Sequence, residues 1–272
     1  MAYKKFQEVV WDYYKNHKRI LPWREGKINP YHVLVSEFML QQTQVDRVLP
    51  KYKVFLKKFP TLKKLASAKQ SSVLKEWSGL GYNRRALFLH KTAQIIINNF
   101  FGKIPDKKEK LLALPGVGPY IASALLIFIY NKDEICLETN IRTVYIHHFF
   151  KNQKKVSDAE LLPFIVKSRV PESSREWFYA LMDYGSYIKK TIGNFSQKSS
   201  QHTRQTTFKG SNRELRGRII RYMINRKKKE AVSFRSLSVA TKNFTKGRTR
   251  NVIKNLISEG FLSGNINEFT LS

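Results

Sequence analysis

One cysteine, Cys136, stands in a chain of 272 residues. A single thiol excludes an internal disulfide and any site built on several cysteines. Its neighbours Ile135 and Leu137 predict a buried, inert thiol. Acidic residues are also scarce. Only 20 Asp and Glu accompany 50 Lys and Arg, for a formal net charge of +30. The excess runs along the whole chain and points to a polyanionic partner, nucleic acid first. A compositional lysine bias would explain part of it, and an anionic membrane surface fits less well. Long apolar runs are missing: the longest, 121–130, is too short to span a bilayer. Met1 to Lys5 lead straight to Trp11-Asp12-Tyr13-Tyr14 with no signal-peptide core, so an intracellular, cytoplasmic and nucleoid-associated protein is expected. Walker loops, nucleophile elbows and zinc signatures are absent. His147 and His148 lack a third partner at ligand spacing and read as structural. No repeat of solenoid length occurs. What the chain does have is 42% apolar residues, enough to fill a core.

Helical periodicity organises those residues. Phe6, Val9, Val10, Tyr13 and Tyr14 mark an amphipathic first helix. Leu21-Pro22-Trp23-Arg24 and Asn29-Pro30 interrupt the pattern. A second helix is predicted from about Tyr31 to Val48, with Leu34, Phe38, Val45 and Val48 inward. Further helices fit 61–65, 71–77, 84–99, 107–112, 120–130, 139–150, 157–166 and 173–188. Strand-like alternation is nearly missing before residue 190, which predicts an all-α body of many short helices. Residues 194–211, rich in Ser, Gln, Thr and Lys, read as a linker. Helices then fit 213–225, 234–240 and 249–259, followed by a turn at 260–265 and a strand at 266–271. That is the outline of a winged helix. Lys246, Arg248, Arg250 and Lys254 at its third helix suit phosphates, with a dimerisation module of the same shape as the competing reading. The expected organisation is a helical domain over 1–193, a linker over 194–211 and a winged-helix-like domain over 212–272.

Four segments could carry chemistry. Leu114-Pro115-Gly116-Val117-Gly118-Pro119-Tyr120 opens an apolar helix. Glycines there let a phosphate approach closely, and helix N-terminal N–H groups point at it. In Ser36-Glu37-Phe38-Met39-Leu40-Gln41-Gln42-Thr43, Glu37 lies in an apolar run and shares a helix face with Gln41. A carboxyl in such a place has its pKa raised and suits general acid work. The two glutamines could read or replace a base. The plain alternative is a solvated helix face. Glu138-Thr139-Asn140 opens another helix. A carboxylate there stays ionised and would stabilise developing positive charge, or it merely caps. Gly79-Leu80-Gly81-Tyr82-Asn83-Arg84-Arg85 suits a loop that wedges into stacked bases while its arginines grip the backbone, or a tight turn with a surface tyrosine. Met182-Asp183-Tyr184-Gly185 reads as a buried helix end.

Together and in this order, these segments resemble the helix-hairpin-helix (HhH-GPD) DNA glycosylases. Within them the Met39-Leu40-Gln41-Gln42-Thr43 string is similar to the MutY-like adenine branch. The resemblance spans roughly Phe6 to Ile188, with Leu21-Pro22-Trp23-Arg24 and Met182-Asp183-Tyr184-Gly185 among the matching strings. It implies a body of two helical lobes that flips a base from duplex DNA and hydrolyses its N-glycosidic bond. By the resemblance, Glu37 protonates the leaving purine. The carboxylate beside Asn140 stabilises the sugar cation or adds to it transiently. Gln41, Gln42 and Tyr82 fill the vacated stack and probe the opposite base. Pro115, Gly116, Val117 and Gly118 meet the phosphate, with a monovalent cation held by carbonyls near Leu114 and Val117 and no side-chain metal. Lyase-active relatives carry a lysine where Tyr120 stands, which implies a glycosylase without lyase activity.

Three departures follow. The family's ionised carboxylate is Asp, whereas this chain has Glu138. The family's iron–sulfur cysteines have no counterpart, and Lys189 stands where the first would fall, so no cofactor is expected and basic Lys189 and Lys190 meet DNA instead. The Nudix-like domain that reads 8-oxoguanine gives way to the winged-helix-like unit. The expected substrate is adenine opposite 8-oxoguanine or guanine in double-stranded DNA, acted on by a monomer with no membrane role. The alternatives are uracil or thymine opposite guanine, or alkylated purines, on the same fold. A third reading is a non-catalytic DNA-binding protein.

Overall fold

A computed structural model describes residues 2–203, 207–226 and 230–272. In chain order the helices are α1 (Ala2–His17), α2 (Pro30–Leu40), α3 (Val45–Lys58), α4 (Leu62–Ala66), α5 (Gln70–Trp77), α6 (Arg84–Asn99) and α7 (Lys108–Leu112). They continue as α8 (Pro119–Tyr130), α9 (Thr139–Phe149), α10 (Asp158–Ser168), α11 (Ser174–Thr191), α12 (Asn212–Ile224), α13 (Ser238–Thr241) and α14 (Lys246–Ser258). Among the described residues, strands occur only near the C-terminus: β1 (Val232–Ser233), β2 (Leu262–Gly264) and β3 (Glu268–Leu271). The body is all-α, as its periodicity predicts.

The chain forms two compact units, each from two stretches: Met1–Glu37 with Ile104–Arg204, and Phe38–Lys103 with Gln205–Ser272. The division falls inside α2, so Glu37 belongs to the first unit and Phe38 to the second.

In the first unit, α8 is apolar all round and buried from Ile121 to Ile129, as a central core helix must be. α11 packs on α9 and α1. Gly185 makes that packing possible: a Cβ there would lie 2.2 Å from the Asn140 carbonyl oxygen. Met182 to Gly185 therefore sit inside an 18-residue helix, not at a helix end as expected. Within that helix, buried Asp183 is satisfied from outside it, by Arg19 and Arg24. A capping box of Ser157 and Glu160 starts α10. Residues 195–200, assigned above to a linker, are packed chain. A 3-10 turn at Phe195–Lys198 sets the Phe195 ring 4.8 Å from His147, and Ser199 bridges to Val156.

In the second unit, the predicted helix 31–48 is two helices. α2 stops at Leu40, residues 41–44 turn with Gln42 at φ 52°, and α3 runs on to Lys58 despite Pro50. The interruption comes from a distant residue. Arg85, buried on α6, donates to the carbonyls of Phe38, Met39 and Gln41 and to the Thr43 hydroxyl. One guanidinium thus caps the orphan carbonyls of α2.

The C-terminal stretch is a three-helix winged-helix-like module on a core of Leu215, Ile219, Leu237, Ile253, Leu256 and Phe261. Its sheet is antiparallel in the order β1-β3-β2, with Val232 opposite Phe269 and Leu262 opposite Leu271. The hairpin turn lies at 265–267, where the Asn265 side chain accepts from Asn267 and Glu268, later than the predicted 260–265. β1 has no counterpart in the prediction, and 234–240 divides into a 3-10 turn and α13. The module rests on α5 and α6. Gln70 donates to the Gly260 carbonyl at 2.7 Å, and Glu259 takes both Arg84 and Arg216.

Candidate active site

Three helix ends of the first unit bring two carboxyls together. Glu37 sits late in α2 and is buried, with 6% of its surface exposed. Tyr120, in the first turn of α8, donates a hydrogen bond to it. Burial pushes the Glu37 carboxyl up to about 7, against the opposing pull of the Tyr120 hydroxyl and Arg24; the charge of Glu138 adds to the rise. A carboxyl in that range is protonated for a large part of the time at neutral pH and can deliver its proton.

Glu138 is the N-cap of α9 and half-buried. Its Oε1 accepts from the backbone N–H of Asn140 at 2.8 Å and of Ile141 at 2.9 Å, and its Oε2 from the Asn140 side chain at 3.2 Å. Burial raises this carboxyl above its ordinary value. The two backbone donors, Arg19 and Arg142 pull the other way. All three hydrogen bonds suit the charged form, as does the helix dipole. The two acids differ in surroundings: Glu37 is buried beside the Tyr120 hydroxyl, whereas Glu138 accepts three hydrogen bonds at the α9 N-terminus. Both charges act on Tyr120 and on Cys136, whose thiol burial drives far up, so it is inert. The two acids thus lie within electrostatic reach of each other and of the same two neighbours.

Arg24 and Asp183 complete the electrostatics, and the sequence reading gave them no role. Asp183 is fully buried and accepts from the Arg19 backbone at 2.8 Å, Arg19 Nε at 2.7 Å and Arg24 Nη1 at 2.9 Å. Arg24 lies over the Tyr179 ring, 4.1 Å from its centroid. The available signal was an Asp inside an apolar helical run, since a buried charge requires a partner. Gly185 supports the same site by admitting Asn140, which orients Glu138.

The hairpin leads into this site. Gly116 has φ 76°, a left-handed turn suited to glycine. Gly118 has ordinary backbone angles, caps α8 without a side-chain bond and is exposed; a Cβ on it would meet nothing. Neither conformation nor packing in this chain demands glycine there, which leaves room for an outside group to approach the α8 N-terminus. Pro115 is half-buried, while Leu114 and Val117 are buried and Val117 donates to the Leu114 carbonyl at 3.1 Å.

The remaining predicted contacts divide. Gln41 and Gln42 lie past the end of α2, so Glu37 and Gln41 do not share a helix face as expected; Gln42 is exposed. Tyr82 is half-exposed at φ 47°, next to Gly81 at φ 76°. Arg85 does not grip a DNA backbone. It is 6% exposed, and its guanidinium is committed to the turns at 41–43 and to the Gly81 carbonyl. Arg84 is exposed but pairs with Glu259 at 2.6 Å. Lys189 is exposed near the end of α11, and Arg250 is exposed on α14, stacked on Phe234 at 5.0 Å. Arg248, half-buried, donates to Asn212 and lies over Phe244. No trio of His, Cys, Asp or Glu fit to hold a metal occurs among the described residues, and none of their helices is long and apolar enough to cross a membrane.

Known proteins are similar to this chain. Residues 35–166 match the family described as HhH-GPD superfamily base excision DNA repair protein. An adenine DNA glycosylase of Buchnera aphidicola is 36% identical over 184 residues, 67% of this chain and 52% of that protein. An adenine DNA glycosylase of Mycobacterium tuberculosis is 42% identical over 132 residues, 48% of this chain and 43% of that protein. A thymine/uracil-DNA glycosylase of Pyrobaculum aerophilum is 31% identical over 193 residues, 68% of this chain and 84% of that protein. The chain thus spans about half the length of these two adenine DNA glycosylases. The structure of a thermostable thymine-DNA glycosylase superposes with a TM-score of 0.62 at 23% identity, over 72% of this chain and 92% of that one, a likeness of fold. The chain belongs to the HhH-GPD superfamily of base excision DNA repair proteins.

Proposed function

We propose that this protein is a DNA glycosylase of base excision repair that removes flipped-out adenine opposite 8-oxoguanine or guanine. One observation carries the reading: Glu37, buried and poised near neutrality, is bonded to Tyr120 and lies within electrostatic reach of the N-cap carboxyl Glu138. Binding alone gains nothing from two acids in a chain of net charge +30. In the proposed reaction the N-glycosidic bond breaks and its electron pair leaves with the purine. Glu37 gives that purine a proton. Glu138 stabilises the sugar cation at C1′, with Asn140 holding it in place. Water then adds at C1′ and returns its proton to Glu37, so the enzyme ends as it began.

The duplex would be held by the uncapped N-terminus of α8 at Gly116 to Gly118, with a monovalent cation on the carbonyls near Leu114 and Val117. Lys189, Arg248 and Arg250 would meet phosphates, while Gln41, Gln42 and Tyr82 would enter the stack. Tyr120 has no amine, so it cannot form the Schiff base of a lyase, and hydrolysis alone is expected. The cysteines that an iron–sulfur cluster requires are missing from these 272 residues, so no step passes through a cluster. The protein would act as a monomer beside the nucleoid.

A second reading keeps the chemistry and changes the base. The Pyrobaculum relative is named for thymine and uracil, and it is matched over most of its length. The test uses end-labelled duplexes carrying adenine opposite 8-oxoguanine or guanine, thymine or uracil opposite guanine, and an alkylated purine, each followed by alkali. Strand breaks in the adenine duplexes support the first reading. Breaks confined to thymine or uracil support the second. Binding without breaks removes the catalytic assignment.

A further inference from the structure

The Tyr82 turn is held from two sides. Its backbone is wound left-handed at two consecutive positions, Gly81 and Tyr82. A tyrosine gains nothing from that conformation by itself, so the surroundings must impose it. On one side the body does so: the Trp77 indole donates to the Gly81 carbonyl at 3.2 Å, Arg47 donates to the Gly79 carbonyl at 2.7 Å, and the Arg85 guanidinium lies 5.4 Å from the Tyr82 ring centroid. On the other side stands the winged-helix-like module. Arg213, in the first turn of α12, donates to the Tyr82 hydroxyl at 2.9 Å, and its guanidinium carbon lies 5.8 Å from the ring centroid. The module is fixed at this spot by Glu259, which clasps Arg84 of the body and Arg216 of α12 together. Gln70 adds a bond to the Gly260 carbonyl.

We propose that Arg213 is a positioning residue for mispair recognition: the C-terminal module sets the orientation of the Tyr82 ring before DNA arrives. The inference rests on the reading that Tyr82 enters the base stack. A ring that must slide between bases in one orientation loses rotamer freedom on binding, and a hydrogen bond that freezes it beforehand removes that cost. The charged donor makes the bond stronger than a neutral one. The module then contributes to target choice through a single side chain on the body's own wedge, 131 positions earlier in the chain. This contribution is separate from any phosphate contacts of α14.

The test is a double-mutant cycle in the full chain, read as binding by fluorescence anisotropy. The quantity measured is discrimination: affinity for a mispaired duplex divided by affinity for the fully paired one. The mispairs are adenine opposite 8-oxoguanine, adenine opposite guanine, and thymine or uracil opposite guanine. Arg213→Ala and Tyr82→Phe should each lower discrimination about tenfold, the worth of one charge-assisted hydrogen bond at a half-exposed site. The double variant should lose no more than either single one, because each change breaks the same bond. Tyr82→Phe leaves α12 untouched and retains the ring, so it carries the test independently of the module's stability. Losses that multiply in the double variant would overturn the inference. So would an Arg213→Ala effect that falls equally on paired and mispaired duplexes, which marks a plain phosphate contact. A wild-type protein that prefers none of the mispairs would remove the functional reading itself, and this inference with it.

Discussion

Replacing Glu37 by glutamine should make the protein more stable at alkaline pH, in proportion to how strongly burial favours its proton. The wild-type carboxyl titrates at about 7 in the folded state and near 4.5 when free. The folded protein therefore holds this proton more tightly by about 3 kcal/mol. Its folded value is raised, so the stability it contributes is complete below the unfolded value and disappears as pH rises through the folded one. From about pH 5 to about pH 8 the wild type should lose roughly 2.5 kcal/mol through Glu37 alone. Glutamine retains the shape, can still accept from Tyr120 and does not titrate. Groups beyond the reach of the Glu37 charge titrate alike in both proteins and cancel. The difference in unfolding free energy should therefore shift by about 2.5 kcal/mol in favour of Glu37→Gln across that interval. Urea unfolding followed by tryptophan fluorescence reads it well, because Trp11, Trp23 and Trp177 all lie in the first unit. A difference that stays constant from pH 5 to 8 would refute the assignment of Glu37 as a carboxyl held protonated by its surroundings.

Gly185→Ala should destabilise by about 1–3 kcal/mol in thermal unfolding, because its methyl group would meet the Asn140 carbonyl at 2.2 Å; an unchanged melting temperature would contradict the packing of α11 on α9. Asp183→Asn removes the common partner of Arg19 and Arg24 and should cost about 3–5 kcal/mol in chemical unfolding. Arg85→Met should cost about 3 kcal/mol or more, since the carbonyls of Phe38, Met39 and Gln41 lose one shared donor. Its signature in hydrogen exchange should be faster opening at 41–44 with little change at α8, whereas protection left intact at 41–44 would show that Arg85 does not hold that turn.

Helices with a one-sided apolar pattern were legible in the sequence. α6 begins and ends at the predicted residues, and α8 and α9 differ by one residue at one end. Two carboxyls and a hairpin could also be read from local spacing, because helix starts and Gly-Pro turns leave local marks. Long-range partners left none. The break after Leu40 has no glycine or proline behind it; a guanidinium more than forty residues away supplies the stop. Arg84 and Arg85 look alike in sequence, yet one is exposed against Glu259 and the other is buried under two turns. β1 is two residues long and pairs only with the last strand, too short for an alternation to show. Asp183 marked itself as unusual by its apolar surroundings, but only the fold reveals which arginines answer it.

The most direct test of the two-carboxyl site is the pH dependence of single-turnover cleavage on adenine opposite 8-oxoguanine. With Glu37 as the acid, the rate should fall about tenfold per pH unit once pH exceeds roughly 7, and Glu37→Gln should give no product at any pH while still binding the duplex. A rate that stays level from pH 6 to 9, or product formed by Glu37→Gln at the wild-type rate, would contradict the account.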